Sequence, residues 1–210
     1  MSQAHDPRFI DDMDKTEAVI EQLGRHGWAV QPDFVPTESV GLLRAEALEQ
    51  HAAGLFKQAG VGSGSAHNVL QTLRGDAVRW LDEATATLGQ AEVFQSLEML
   101  RLAANRSLML GLFELETHFA IYPSGAFYKK HVDRFRDDDA RTLSVILYLN
   151  DAWEQEDGGQ LRIEVGGNET VDLTPEGGTL VAFLSDRFPH EVLPARRERV
   201  SLTGWFKRRS

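Results

Sequence analysis

Two histidines and one aspartate have the types and spacing that could bind a metal ion. His131 and Asp133 stand two positions apart in KKHVDRF, so in an extended strand both side chains leave the same face, about 6.7 Å apart along the chain. His190, far downstream, would complete a set of two imidazoles and one carboxylate. Such a set covers one face of an octahedral ion and leaves the opposite positions open, which suits non-haem Fe(II). The pair at 131 and 133 alone is weak, because a solvated charged loop can carry the same spacing.

A single arginine follows the last of these residues at a distance that bears on the same site. Arg199 lies nine positions after His190, in a segment that reads as a strand. A guanidinium buried in such a strand is costly unless an anion pairs with it. The alternative is a surface arginine that pairs with the neighbouring Glu198.

Composition removes most other metal and redox chemistry. The chain has no cysteine, which excludes thiolate zinc sites, iron-sulfur clusters, disulfide scaffolds and cysteine nucleophiles. Its formal net charge of -10 argues against nucleic acid as a partner. No apolar run approaches the roughly 20 residues of a membrane span, and the first residues do not read as a secretory signal. We therefore expect no membrane partner and a cytoplasmic location.

The elements that must position these side chains differ between the two halves of the chain. The sequence predicts helical support and a substrate-covering loop region for residues 1–112. It predicts a β-rich core for residues 113–210, and both parts are expected to belong to one domain. The predicted helices begin near Asp14, at Pro36 and near Thr85, and residues 60–68 predict a mobile loop. The predicted strands are LETHFAIYP, RTLSVILYLN, GGQLRIEV, GGTLVAFL and RVSLTGWF. This order predicts an α+β fold with a sandwich or jelly roll.

At this point the segments carry a resemblance to a known family. The chain from about Glu116 to Phe206 resembles the 2-oxoglutarate/Fe(II) oxygenases, and among them the prolyl hydroxylases of the oxygen-sensing type. The resemblance rests on IYPSGAFYKKHVD, LYLNDAW, DGGQLRI, SDRFPHEVLPARRERV and GWF, in that order. It implies a double-stranded β-helix whose N-terminal helices pack on one sheet. It also implies Fe(II) as cofactor, 2-oxoglutarate and O2 as cosubstrates, and ascorbate as a stimulant.

The resemblance assigns roles around the cofactor. His131, Asp133 and His190 match the metal ligands of the family. Arg199 and Tyr148 match the residues that hold the far carboxylate of 2-oxoglutarate, and Tyr122 matches a tyrosine that lines the same pocket nearer the iron. For the two tyrosines the alternative is plain core packing with a satisfied hydroxyl.

On the substrate side the resemblance is carried by LRGDAVRW, residues 73–80, which is similar to a mobile loop over the substrate cleft. Arg74, Asp76 and Trp80 lie in this segment. Either Asp76 pairs with Arg141, as similar positions do in the family, and holds the loop closed, or each of the two is an unpaired solvated charge. Trp205 either lines the cleft or packs in the core. His118, a lone histidine on a predicted strand, is expected to be a packed or surface residue rather than a metal ligand.

The function that follows is a dioxygenase, expected to be a prolyl 4-hydroxylase acting on a proline of a protein, and a translation elongation factor is one candidate partner. One alternative keeps the chemistry but hydroxylates a small molecule or another side chain. Another is a non-catalytic module that binds 2-oxoglutarate or metal as a sensor. A cupin-like enzyme would need a third histidine ligand, for which the sequence shows no obvious counterpart.

Overall fold

The computed structural model describes residues 7–60, 73–134 and 140–209, which form three α-helices and two antiparallel sheets. The predicted loop at 60–68 lies outside these residues except for Gly60. The helices are α1 (Pro7–His26), α2 (Thr37–Ala52) and α3 (Leu88–Leu108). None of them combines the length and the apolar character that a membrane span needs.

A seven-stranded sheet, the major sheet, forms the larger layer. Its strands are β1 (Trp28–Gln31), β2 (Lys57–Gln58), β3 (Ala77–Trp80), β4 (Leu112–Tyr122), β6 (Arg141–Tyr148), β9 (Leu180–Leu184) and β11 (Arg199–Arg208). They lie in the order β1-β9-β6-β11-β4-β3-β2. The long strand β11 therefore lies in the middle, with β6 on one side and β4 on the other.

A four-stranded sheet, the minor sheet, faces the major sheet. Its strands are β5 (Tyr128–His131), β7 (Leu161–Gly166), β8 (Glu169–Leu173) and β10 (His190–Val192), in the order β5-β10-β7-β8. Two short 3-10 helices, Glu83–Thr85 and Gln155–Asp157, lie in the connections. The arrangement is the double-stranded β-helix that the resemblance implied, and the predicted α+β class is confirmed.

Strict alternation of side chains gives the major sheet two different faces. In β6, Leu143 and Leu147 belong to an apolar cluster that also contains residues of all three helices. Ile146 and Tyr148, from the same strand, belong to a second cluster shared with Leu161 of the minor sheet. Because successive side chains of a strand point to opposite faces, one sheet supports the helices and also forms a wall of the space between the sheets.

The helices bury their apolar sides on the outer face of the major sheet. Leu23 of α1, Leu43 of α2 and Leu97 of α3 are buried together with Val145 and Phe206 of the sheet. This confirms that the helices pack on one sheet. α1 begins at Pro7, earlier than the predicted start near Asp14, and proline is favourable in the first turn because its missing N–H would be unpaired there in any case.

The segment 73–80 differs from its prediction as a mobile loop. Ala77–Trp80 forms β3, which pairs in register with β4, so that Val78 lies opposite Ala120. Backbone hydrogen bonds to two neighbouring strands hold this segment in the sheet. Strands β1, β2 and β3 all precede residue 113 and yet complete the major sheet, which supports one domain, whereas the boundary between 112 and 113 stays a prediction.

Candidate active site

The end of β5 and the start of β10 bring two distant histidines together. His190 pairs directly with His131 in the antiparallel ladder, and Asp133 follows two residues after the end of β5. The Oδ1 atom of Asp133 lies 3.5 Å from Nε2 of His131 and 3.7 Å from Nε2 of His190. One ligand atom from each residue lies within 4.8 Å of the others, a spacing that one ion could bridge.

Backbone carbonyls determine which nitrogen of each imidazole is free. Nδ1 of His131 lies 2.8 Å from the Lys129 carbonyl, and Nδ1 of His190 lies 2.9 Å from the Phe188 carbonyl. Because a carbonyl oxygen can only accept, each Nδ1 must carry the hydrogen, and each Nε2 keeps its lone pair. Both Nε2 atoms face Asp133, so the rings are held in the tautomer and orientation that a metal ligand requires.

The charges of the three residues also fit metal binding. Burial alone would raise the pKa of the Asp133 carboxyl, but His190, His131 and a hydrogen bond from Ser144 outweigh burial and hold that pKa well below its usual range. Burial lowers the pKa of His190, although the Asp133 carboxylate opposes the shift. An anionic carboxylate beside neutral imidazole is the donor set that suits a divalent transition metal.

Arg199 lies in the core without an acidic partner. It begins β11, pairs with Tyr122 of β4, and is only 2% exposed. Among the described residues its guanidinium makes one hydrogen bond, from Nε to the Gly159 carbonyl at 3.0 Å, and no ion pair. A buried cation without an acidic partner among the described residues is costly unless an anion binds to it.

Tyrosine rings lie on the guanidinium and one of them carries an unsatisfied hydroxyl. The guanidinium carbon of Arg199 lies 5.2 Å from the Tyr122 ring and 5.0 Å from the Tyr148 ring. The Tyr148 hydroxyl is buried and has no hydrogen-bond partner among the described residues. A carboxylate that accepts from both Arg199 and Tyr148 would satisfy both groups, and the residues present therefore fit a diacid cosubstrate.

A cavity of about 440 Å³ connects these parts. Its wall includes the three candidate ligands and, from the other predicted site residues, Tyr122, Arg199, Arg74, Trp80, Arg141 and Trp205. Tyr148 and Asp76 are fully buried and contribute to the site from behind the wall. The structure thus gathers the sequence-predicted residues around one space between the sheets.

The expected pair of Asp76 with Arg141 is replaced by two other pairs. Arg74 donates to both oxygens of Asp76, from Nε at 2.7 Å and from a terminal nitrogen at 2.6 Å. Arg141 donates from Nε to Glu116 at 2.8 Å, and its guanidinium carbon lies 3.7 Å from the centre of the Trp205 ring. Arg74 forms the bidentate pair because it lies only two residues from Asp76, where its planar fork can meet both oxygens.

Two aromatic residues of the wall were not assigned to the site by the sequence. Tyr128 stacks on His131, with ring centroids 3.6 Å apart, and Arg74 lies over its other side. Strand alternation would place residues 128 and 131 on opposite faces, but a register shift between β5 and β10 brings them together. His118, expected to be packed or on the surface, is buried against both Trp80 and Trp205 and lines the cavity.

Sequence comparison agrees with this geometry. A family model described as the 2OG-Fe(II) oxygenase superfamily matches residues 117–207. The hypoxia-inducible factor prolyl hydroxylase of Caenorhabditis elegans is 30% identical over an alignment of 209 positions, gaps included, which covers 92% of this chain and 28% of that protein. Egl nine homolog 1 of Homo sapiens is 30% identical over 201 residues, covering 90% and 46%. The chain spans less than half the length of these two curated relatives.

Solved structures extend the similarity over nearly the whole chain. A prolyl-4-hydroxylase of Pseudomonas putida is 46% identical with a TM-score of 0.85, and the match covers 93% of this chain and 100% of that one. A Trichoplax adhaerens prolyl hydroxylase, solved with a peptide fragment of the hypoxia inducible factor oxygen degradation domain, is 26% identical with a TM-score of 0.84. That match covers 95% of this chain and 92% of the other. The chain belongs to the 2OG-Fe(II) oxygenase superfamily.

Proposed function

We propose that this chain is an Fe(II)- and 2-oxoglutarate-dependent dioxygenase that hydroxylates a proline residue of a protein. The observation that supports the chemistry is that one cavity contains both a set of metal-type ligands and buried hydrogen-bond donors suited to a carboxylate. Among the described residues, the set of His131, Asp133 and His190 has no further protein ligand, Arg199 has no acidic partner, and the Tyr148 hydroxyl has no hydrogen-bond partner. The similarity to the Pseudomonas putida and Trichoplax adhaerens prolyl hydroxylases supports the choice of substrate.

The ligand residues hold and orient the metal. His131 and His190 offer Nε2 lone pairs, and the hydrogen bonds from Nδ1 to backbone carbonyls keep the rings from turning away. Asp133 adds one negative charge. Fe(II), once bound with 2-oxoglutarate and O2, supplies the oxidising power for hydroxylation of a C–H bond.

Arg199 and Tyr148 hold the cosubstrate at its far end. The planar guanidinium matches a carboxylate in a bidentate pair, and the Tyr148 hydroxyl adds a third donor. Tyr122, next to Arg199 across the β4–β11 ladder, closes the side of this pocket. Because Arg199 is almost inaccessible to water, the pair forms where charges attract strongly.

The substrate side of the site is formed by Arg74, Asp76, Trp80, Arg141 and Trp205. Trp80 is 51% exposed although it lines the cavity, which leaves an apolar surface at the mouth for a substrate chain to cover. Arg141 lies over Trp205 and helps to fix the inner ring. A translation elongation factor as the substrate and a cytoplasmic location both stay predictions.

Mass spectrometry of candidate substrates tests the proposal. Proteins and proline-containing peptides, an elongation factor among them, are incubated with the chain, Fe(II), 2-oxoglutarate and ascorbate. The expected product gains about 16 Da, one oxygen atom, on a proline. The His131→Ala variant is the control and should give no product, because one metal ligand is lost.

Succinate release distinguishes this function from its alternatives. Release that depends on proline peptides and not on free amino acids is the expected result. Release driven by a small molecule instead would keep the chemistry and reject the protein substrate. Binding of 2-oxoglutarate without oxygen-dependent turnover on any peptide would favour a sensor module.

A further inference from the structure

Two buried serines form a short hydrogen-bonded chain that ends on the candidate metal ligand Asp133. Ser144 Oγ lies 2.6 Å from Oδ2 of Asp133, and Ser185 Oγ lies 2.9 Å from Ser144 Oγ. Ser144 is 1% exposed and Ser185 is fully buried, so water does not compete for these bonds. Neither serine lines the cavity.

The donor and acceptor in each of these two hydrogen bonds follow from the charge of Asp133. An ionised carboxylate only accepts, so Ser144 must donate its single hydrogen to Oδ2. Ser144 then has only lone pairs to offer, and Ser185 must be the donor to Ser144. The donated hydrogens therefore run from Ser185 to Ser144 to Asp133.

This order makes the two oxygens of Asp133 different from each other. Oδ2 is held by a short hydrogen bond to a charged acceptor, which is of the strong kind. Oδ1 is the oxygen that lies 3.5 Å and 3.7 Å from the Nε2 atoms of His131 and His190. A second metal bond through Oδ2 would have to displace or share the hydrogen from Ser144.

We propose that Ser144 and Ser185 are positioning residues that reserve Oδ2 of Asp133 for hydrogen bonding and so restrict this carboxylate to one metal bond, through Oδ1. The consequence is an open coordination position that a bidentate carboxylate would fill and that a chelating diacid and O2 need. The inference rests on the proposed function for its purpose, but its metal chemistry can be measured separately.

Main-chain hydrogen bonds around the serines allow the hydroxyls to be removed without removing the backbone support of the fold. Ser185 donates its N–H to the Thr142 carbonyl, and its own carbonyl accepts from the N–H of Arg134, next to Asp133. These bonds persist when a side chain is cut to alanine. Ser144→Ala and Ser185→Ala therefore remove the hydroxyl chain while the main-chain support stays.

The test is the affinity of the metal-free 210-residue chain for Mn(II), measured by calorimetry without cosubstrate or peptide. Ser144→Ala should raise the dissociation constant about 10-fold, the lower end of the usual cost of losing a group that orients a metal ligand, because a second metal bond through the freed Oδ2 offsets part of that cost. Ser185→Ala should raise it less, because it acts only through Ser144. The double variant should match Ser144→Ala, and Ser144→Thr, which keeps a hydroxyl, should recover most of the affinity.

A matched control and a spectrum separate positioning from general stability. Ser39 is another buried serine that donates to a carboxylate, that of Glu92, but on α2 and away from the cavity. Ser39→Ala should leave Mn(II) affinity unchanged. In infrared difference spectra with isotope-labelled aspartate, the wild-type carboxylate should show the wide band splitting of a single metal bond, and Ser144→Ala a narrower one.

The outcomes distinguish this inference from the proposed function. Unchanged Mn(II) affinity in folded Ser144→Ala, or an equal loss in Ser39→Ala, would overturn it, even if the chain hydroxylates prolines. Conversely, a serine-dependent Mn(II) affinity in a chain that hydroxylates no proline would reject only the substrate. If Ser144→Ala does not fold, Ser185→Ala and Ser144→Thr decide. A higher Mn(II) dissociation constant in Ser185→Ala, together with an affinity near that of the wild type in Ser144→Thr, supports positioning. An unchanged dissociation constant in Ser185→Ala rejects the role of the two hydroxyls.

Discussion

The surroundings of Arg199 give the clearest indication of which ligand the cavity binds. Arg199→Met should weaken 2-oxoglutarate binding by about 2–5 kcal/mol, the cost of removing one partner of a buried charge pair. The stability of the ligand-free protein should change far less. The loss of the bond to Gly159 is offset by the removal of a buried cation without an acid partner among the described residues. Thermal unfolding with and without 2-oxoglutarate measures both effects.

An arginine on the surface provides the comparison for this prediction. Arg25 lies at the end of α1 and pairs with Glu21 at the exposed helix surface. Arg25→Met should leave the stabilisation by 2-oxoglutarate intact, since exposed ion pairs contribute little. Equal stabilisation by 2-oxoglutarate in wild type and Arg199→Met would reject the role given to Arg199.

His118 makes stability depend on pH in a defined direction. Burial lowers the pKa of its imidazole to about 4, from an ordinary value of 6.5. The unfolded chain therefore takes up the proton first, so stability is unaffected above about pH 6.5 and falls as the pH drops from there towards 4. At about 1.4 kcal/mol for each pKa unit, the loss reaches roughly 3 kcal/mol.

The His118→Phe variant isolates this contribution, because phenylalanine can pack against Trp80 and Trp205 but does not titrate. Urea unfolding of the metal-free proteins between pH 4 and pH 7, a range set by the ordinary histidine pKa of about 6.5, should show a flatter profile for the variant. His190 contributes equally to both profiles. Parallel profiles would show that His118 is not kept neutral by burial.

At this scale the sequence predicted residue types better than residue partners. His131, Asp133, His190 and Arg199 could be named from type, spacing and resemblance, and the fold places them around one cavity. The partner of Asp76 could not be predicted, because two arginines lay within plausible reach and only the path of the backbone decides between them. Ser144 gave no signal, since a serine in a buried strand is ordinary.

Among the elements, β11 is the one in which substitutions are expected to be least tolerated, because it lies in the middle of the major sheet and begins with Arg199. Gly204 on this strand lies opposite Thr117 of β4. A Cβ atom there would lie 2.6 Å from the Thr117 methyl carbon and 2.7 Å from the Glu116 carbonyl oxygen. Gly204→Ala should therefore lower the free energy of unfolding by about 1–3 kcal/mol through overpacking.

A second glycine provides the opposite expectation for the same substitution. Gly41 lies on the exposed side of α2, and a Cβ there would meet nothing within 4 Å. Gly41→Ala should raise the free energy of unfolding by about 0.5–1 kcal/mol, because alanine is the better helix former. Chemical denaturation of the two variants checks the pair, and a stabilising Gly204→Ala would contradict the close approach of β4 and β11.

The elements themselves were predictable where the pattern is long and regular. All three helices and the strands β4, β6, β7, β9 and β11 lie where periodicity and β-branched runs placed them. The short strands β1, β2 and β8 were missed, since a few residues do not establish a period. The segment of β3 was expected to be a loop, but its register with β4 is decided by tertiary pairing.

At the scale of the whole molecule, the net charge is negative, but arginines line the cavity. The chain carries a formal charge of -10, yet the cavity wall includes Arg74, Arg141 and Arg199. A diacid is therefore repelled by the surface as a whole and attracted by the cavity. Arg74 and Arg141 are paired with Asp76 and Glu116, so it is Arg199, which has no acidic partner among the described residues, that agrees with an anionic cosubstrate.

The whole molecule should also fold as one unit, so residues 113–210 should not fold alone. In the full chain, Phe119, Leu143, Val145 and Phe206 are almost completely buried, in a cluster completed by the helices of the first 112 residues. Those residues also supply three strands of the major sheet. A fragment of 113–210 would expose this apolar face and leave sheet edges unpaired, both of which favour aggregation or a loosely packed state.

Expression of 113–210 by itself checks this directly. We expect it to bind a hydrophobic dye and to unfold without a cooperative transition, while production together with 1–112 as a separate chain should restore both cooperativity and 2-oxoglutarate binding. The restored binding matters most, because Tyr122 and Arg199 belong to the fragment, and their positions depend on strands that the helices support from behind. Cooperative unfolding of the fragment alone would instead mean that the core is an independent domain and that the helices serve another purpose.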